Sequence, residues 1–108
     1  MTYHTAAKIN DVAPGSMKAV VANGKKILLA NVGGAFFAMQ QKCPHLGGNL
    51  CKGKLVDKTV TCPLHSATFD LATGEVLEGA HLLFLKFRTK AAAIFPVKIE
   101  GDTVLVEA

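Results

Sequence analysis

Two glycine-bearing turn signals cut the first part of the chain into runs too short for anything but strands. Asn23-Gly24 separates Lys18–Ala22 from Lys25–Val32, and Gly33-Gly34 separates that run from Ala35–Met39. Asn and Gly tolerate positive φ, which two-residue hairpin turns demand. The same punctuation returns downstream: Asp57-Lys58 divides Leu55-Val56 from Val60-Thr61, and Gly101-Asp102 stands between the alternating pairs Val97/Ile99 and Val104/Val106. Tyr3–Ile9 reads as a further strand, closed by Asn10-Asp11 and Pro14-Gly15. Only Ala80–Ala93 offers a short helix as an alternative. Short strands joined by frequent turns predict an all-β fold, a small antiparallel β-sandwich or barrel.

At 108 residues the chain has the size of one domain, and residues 1–108 are expected to form a single one. Hydrophobic residues make up 50% and charged residues 19%, a balance that supplies a core and excludes a disordered chain. No unbroken apolar run approaches the ~20 residues of a membrane-spanning helix. The opening Met1-Thr2-Tyr3-His4-Thr5 shows no basic stretch leading into an apolar one, so a secretory signal is not expected and a cytoplasmic location is.

The net charge of +4 is unevenly spread. Residues 1–60 carry eight lysines against Asp11 and Asp57, whereas residues 61–108 carry Lys86, Arg88, Lys90 and Lys98 against six acids. Nucleic acid is a poor match for this basic half, which lacks Trp and interleaved aromatics. Lys42, Lys52, Lys54 and Lys58 either steer an acidic protein partner or form an ordinary solvated face. An odd count of three cysteines argues against a disulfide framework. Spaced Cys with nearby His reads first as a metal site.

Chemistry concentrates in two segments, Cys43-Pro44-His45-Leu46-Gly47-Gly48 and Cys62-Pro63-Leu64-His65. Together they spell Cys-x-His, sixteen intervening residues, then Cys-x-x-His. A hairpin at Lys54–Thr61 has the size to bring the two loops face to face. Two thiolates and two imidazoles suit tetrahedral zinc. They equally suit a 2Fe–2S cluster with both thiolates on one iron and both imidazoles on the other.

The mixed Cys-His, Cys-His order resembles the Rieske iron–sulfur family. So do His65-Ser66-Ala67-Thr68-Phe69-Asp70 and Thr73-Gly74-Glu75-Val76 downstream of the second box. The resemblance is to soluble, low-potential ferredoxins of ring-hydroxylating dioxygenases, and it implies a cluster-binding part at about residues 40–78. It implies one Rieske-type 2Fe–2S cluster, with Cys43 and Cys62 on the inner iron and His45 and His65 on the outer one. Gly47 and Gly48 would let the first loop approach the cluster, and backbone N–H groups of both loops would donate to its sulfurs.

With two ferric ions, two sulfides and two thiolates, the oxidised centre is neutral. It therefore accepts an electron more readily than a four-thiolate dianion does. High-potential members of the family carry an extra Cys in each loop, at positions that here hold Gly48 and Leu64, and hydroxyls where Ala67 and Phe69 stand. Fewer donors to the cluster imply a potential low in the Rieske range. Ser66 replaces a frequent Gly; its hydroxyl either bonds a cluster sulfur or faces solvent.

The function implied is that of a soluble one-electron carrier between a reductase and a terminal oxygenase or similar enzyme, with no catalysis of its own. Alternatives are the small electron-transfer subunit of a larger reductase of the nitrite-reductase type, and a structural zinc module for protein interaction. Cys51 reads as a buried small apolar residue, and His4 and His81 as side chains without a ligand partner. Leu83, Leu85 and Phe87 are expected to point into the core as a strand rather than form a docking patch.

Overall fold

The computed structural model describes residues 2–44, 48–63, 67–78, 80–82, 85–87 and 91–108. Its strands run β1 (Tyr3–Lys8), β2 (Ser16–Ala22), β3 (Lys25–Val32), β4 (Ala35–Gln40), β5 (Lys54–Val56), β6 (Thr59–Thr61) and β7 (Thr68–Asp70). They continue as β8 (Val76–Glu78), β9 (Ala80–Leu82), β10 (Leu85–Phe87), β11 (Ile94–Phe95), β12 (Val97–Glu100) and β13 (Thr103–Glu107). Single 3-10 turns at Ile9–Asp11 and Leu50–Lys52 are the helical elements among the described residues.

The predicted turns are the observed ones. Asn23 (φ 51) and Gly24 (φ 73) join β2 to β3 in the two-residue geometry that needs positive φ at both positions. Asp57 (φ 51) opens the β5–β6 turn. Among the described residues of Ala80–Ala93 no helix is formed. β9 and β10 pair antiparallel there, with Leu85 opposite Leu82 and Phe87 opposite Ala80, and Ile94-Phe95 joins β4. Cross-strand pairing outweighs the modest helix preference of an alanine-rich run. Leu83 lies outside the described residues, as do the side chains of Leu85 and Phe87.

All strand pairing is antiparallel, and the main sheets stack in three layers. The central sheet, ordered β11-β4-β3-β2, has β1-β13-β12 on one face and β5-β6-β7-β8 on the other. The central strand shows why: Ile27, Leu28, Leu29 and Ala30 are all fully buried. Period-two alternation sends Leu28 and Ala30, with Met39 of β4, toward Val60 and Phe69 of the β5–β8 layer. Ile27 and Leu29, with Ala38, pack instead on Val104 and Val106 of β13. A continuous apolar run is what a strand covered on both faces requires.

Buried polarity is satisfied. Asn31, 3% exposed, donates from Nδ2 to the Val12 carbonyl at 2.8 Å and accepts the Gly34 amide on Oδ1 at 2.8 Å. Gly74 (φ 78) anchors the return of the chain to the β5–β8 layer. Its carbonyl accepts the Ala92 amide at 2.9 Å, and a Cβ there would strike the Ala92 carbonyl.

Candidate metal centre

Cys43 and Cys62 head two loops closed in the same way. The Cys43 amide donates to the Gly48 carbonyl at 2.7 Å, and the Cys62 amide to the Ala67 carbonyl at 2.7 Å. Immediately outside the loops, Lys42 bridges Asn49 and Thr61 pairs with Thr68. Each cysteine is therefore fixed at the base of a hairpin loop by its own N–H. Those two N–H groups are committed to loop closure, which removes them from the donors expected to reach the cluster sulfurs. His45 and His65 fall within the loops in sequence but lie outside the described residues, as do Leu46, Gly47, Leu64 and Ser66.

The two thiols share one apolar core. Cys43 is 2% exposed and Cys62 1%, both packed in the cluster that holds Leu50, Val60, Ala67, Phe69 and Leu71. No disulfide joins Cys43, Cys51 or Cys62. Ala67 and Phe69 are fully buried in the same cluster and bring no hydroxyl to it.

Residues without a ligand's chemistry set the loops in place. Gln40 donates from Nε2 to the Lys42 carbonyl at 2.6 Å, directly before Cys43. Its Oε1 accepts the Ala93 amide at 2.7 Å and its own amide donates to the Ala93 carbonyl at 2.9 Å, tying 91–93 to the root of the first loop. Asn49 Oδ1 accepts the Cys51 amide at 2.9 Å and caps the Leu50–Lys52 turn. Gly53 then passes so close to the Thr61 carbonyl that no side chain fits. Thr61 directly precedes Cys62.

Sequence reading singled out neither Gln40 nor Gly53. Gly53 has an ordinary negative φ and its N–H donates to the Leu50 carbonyl at 3.0 Å, so the contact that requires glycine comes instead from Thr61 on β6. Gly48 is buried, and its carbonyl closes the first loop.

Cys51 is half-buried against the same core, and burial pushes its thiol up to about 11, so it stays protonated near neutral pH. Cys51 is thus less buried than the position expected for it. His4 Nε2 lies 2.9 Å from Thr2 Oγ1. The side chain of His81 lies outside the described residues.

The model of the Rieske [2Fe-2S] domain matches residues 2–83. The ferredoxin component of biphenyl 2,3-dioxygenase from Rhodococcus jostii is 42% identical over 97 residues, covering 90% of this chain and 84% of that one. The chain belongs to the Rieske [2Fe-2S] domain family. A second Rieske relative, the biphenyl dioxygenase ferredoxin subunit of a Pseudomonas species, is 34% identical over 108 residues, 99% of this chain and 93% of that one. The ferredoxin of carbazole 1,9a-dioxygenase from Nocardioides aromaticivorans superposes with a TM-score of 0.81 at 24% identity, over 98% of this chain and 97% of that one.

The cofactor of this Rieske chain is one 2Fe–2S cluster, and its role is that of an electron carrier rather than an enzyme. The donor set fits the group. Two thiols outside any disulfide, rooted in one water-excluding core, match the paired thiolates of a Rieske centre. When bound, the cluster supplies a reversible one-electron step; the chain supplies the burial and the fixed loop roots. Among the described residues no helix is long and apolar enough to cross a membrane.

Proposed function

We propose that Cys43 and Cys62 hold one iron of the cluster and His45 and His65 the other, in a single domain over residues 1–108 whose cluster-binding part spans about 40–78. The observation that carries this reading is the pair of buried cysteines at the roots of two equivalently closed loops in one core. Each loop contains one of the two histidines in sequence, so each contributes one ligand to each iron.

In this reading the chain is a cytoplasmic ferredoxin that takes one electron from a reductase and passes it to a terminal oxygenase. The ferredoxin components of biphenyl dioxygenases among its relatives support that partner class. Thiolate ligands buried in the core leave the imidazole side as the route of exchange. Full burial of Ala67 and Phe69, which offer no hydroxyl, supports a potential toward the low end of the Rieske range, which runs from about −150 to +300 mV.

The test is an anaerobic redox titration of the purified protein followed by electron paramagnetic resonance, with iron, sulfide and zinc analysis. A Rieske-type reduced signal with a low midpoint is expected. Zinc without sulfide would refute the electron-carrier role, and a high midpoint would refute the low-potential assignment.

A further inference from the structure

On the side of the molecule that holds the two cysteines, no ion pair to an acid is formed by the lysines among the described residues. Asp57 is the sole acidic residue between Asp11 and Asp70, while Lys18, Lys25, Lys26, Lys42, Lys52, Lys54 and Lys58 fall in that interval. Lys26, Lys42, Lys52, Lys54 and Lys58 are all exposed. The ion pairs described are Lys8 Nζ to Asp102 Oδ1 at 3.4 Å and Lys98 Nζ to Glu100 Oε2 at 3.2 Å. Both belong to the β1-β13-β12 layer, across the central sheet from the cysteines.

The segment 52–56, which holds the β5 edge, contains no acid. Asp11, Glu100, Asp102 and Glu107 lie on or beside the far layer, whereas Lys42, Lys52 and Lys54 flank the loop roots. Asp70 on β7, opposite Thr59 of β6, and Glu75 and Glu78 toward β8 belong to the cysteine-bearing layer, and Asp70 Oδ1 already accepts the Ala72 and Thr73 amides at 2.7 and 3.2 Å.

Two open depressions mark the basic region. One, of about 390 Å³, is lined by Lys52, Gly53, Lys54, Thr61, Cys62 and Pro63, so its wall reaches a thiol-bearing residue. The other, of about 330 Å³, has Lys26 and Lys42 on its lining beside Asn49. A carboxylate entering the first meets two ammonium groups next to the root of the second loop.

We infer that the β5 edge, with Lys52 and Lys54, is the docking face for an acidic protein surface, that of the redox partner. This rests on the electron-carrier reading and adds the partner's chemistry to it. Lys52 and Lys54 form no ion pair among the described residues, so docking breaks none there, and their positive field steers an acidic surface toward the cluster.

Two double variants with equal change in net charge test it: Lys52→Gln with Lys54→Gln, and Lys8→Gln with Lys98→Gln as the far-layer control. The reduced holoprotein is mixed with ferricyanide in a stopped-flow instrument at 0.1 M ionic strength, where charges act over about 10 Å. One electron leaves the cluster and reduces the ferric iron of ferricyanide to ferrous; no proton or ligand changes hands. Losing Lys52 and Lys54 is expected to slow this anionic oxidant about fivefold and to speed cationic hexaamminecobalt(III), while the control stays within twofold.

A fluorescein-labelled oligoglutamate peptide, followed by anisotropy, reads the face without using the cluster. It is expected to bind the near-site variant at least threefold more weakly than the control. Equal effects of the two variants, or none, would overturn the inference. So would sedimentation showing that Lys52 and Lys54 hold a second copy of this chain instead. A protein lacking the Rieske signal would defeat the electron-carrier reading, while peptide binding would still decide the docking face.

Discussion

Gly53 lies against the carbonyl of Thr61, with no room between them for a Cβ. The contact joins the turn that follows the first cysteine loop to the residue that precedes the second cysteine. Gly53→Ala keeps an allowed backbone conformation but must push the β6 end outward, at a cost of about 2 kcal/mol. Its unfolding midpoint and its iron-to-protein ratio should both fall. Gly24→Ala, strained at φ 73 but with open space around it, should cost about 1 kcal/mol and leave the iron content unchanged.

Ala67→Ser combined with Phe69→Tyr should raise the midpoint potential. Both positions are fully buried in the core that holds the two cysteines, so a new hydroxyl there finds either a sulfur acceptor or none. Donation to sulfur stabilises the added electron. A redox titration that shows no rise, together with a stability loss of about 1–3 kcal/mol, would mean that the hydroxyls were left unsatisfied.

Leu28 and Leu29 are adjacent and equally buried, yet they face different layers. Truncation of either to Ala should cost about 2–5 kcal/mol. Only Leu28→Ala opens space in the core shared by Cys43 and Cys62, so only that variant should lose its cluster more quickly on mild heating. Visible absorbance alongside circular dichroism separates the two effects.

Cys51 should resist iodoacetamide at pH 8 in the native protein and react increasingly as pH approaches 11, because only the thiolate attacks. The sign for stability follows from the same displacement. The unfolded chain releases this proton from about pH 9 upward while the folded chain retains it, so this group lowers stability as pH rises from about 9 to about 11. Cys51→Ala should remove that component and leave the midpoint potential unchanged.

The β2–β4 meander was legible because its turns need residues that accept positive φ, and Asn23-Gly24 and Gly33-Gly34 supply them. That Cys43 and Cys62 head two loops rooted in one core was anticipated by the Cys-x-His and Cys-x-x-His spacing. β7 and β8 have three residues each, too few for a period to register. Ala80–Ala93 was ambiguous because Ala favours helix, and strand pairing decided it. Gly53 and Gln40 were opaque for another reason. Their partners, Thr61 and Ala93, come from other parts of the chain, and nothing local in either residue announces the contact.

The bonds from Cys43 to Gly48 and from Cys62 to Ala67 also bear on the speed of electron exchange. A cysteine whose own amide is tied across its loop, and whose side chain is held in a packed core, would have little freedom to shift when the charge beside it changes. With both thiolates bound to the cluster as proposed, the reorganisation accompanying each redox cycle would be small on their side, leaving the adjustment to the solvent and the partner's surface.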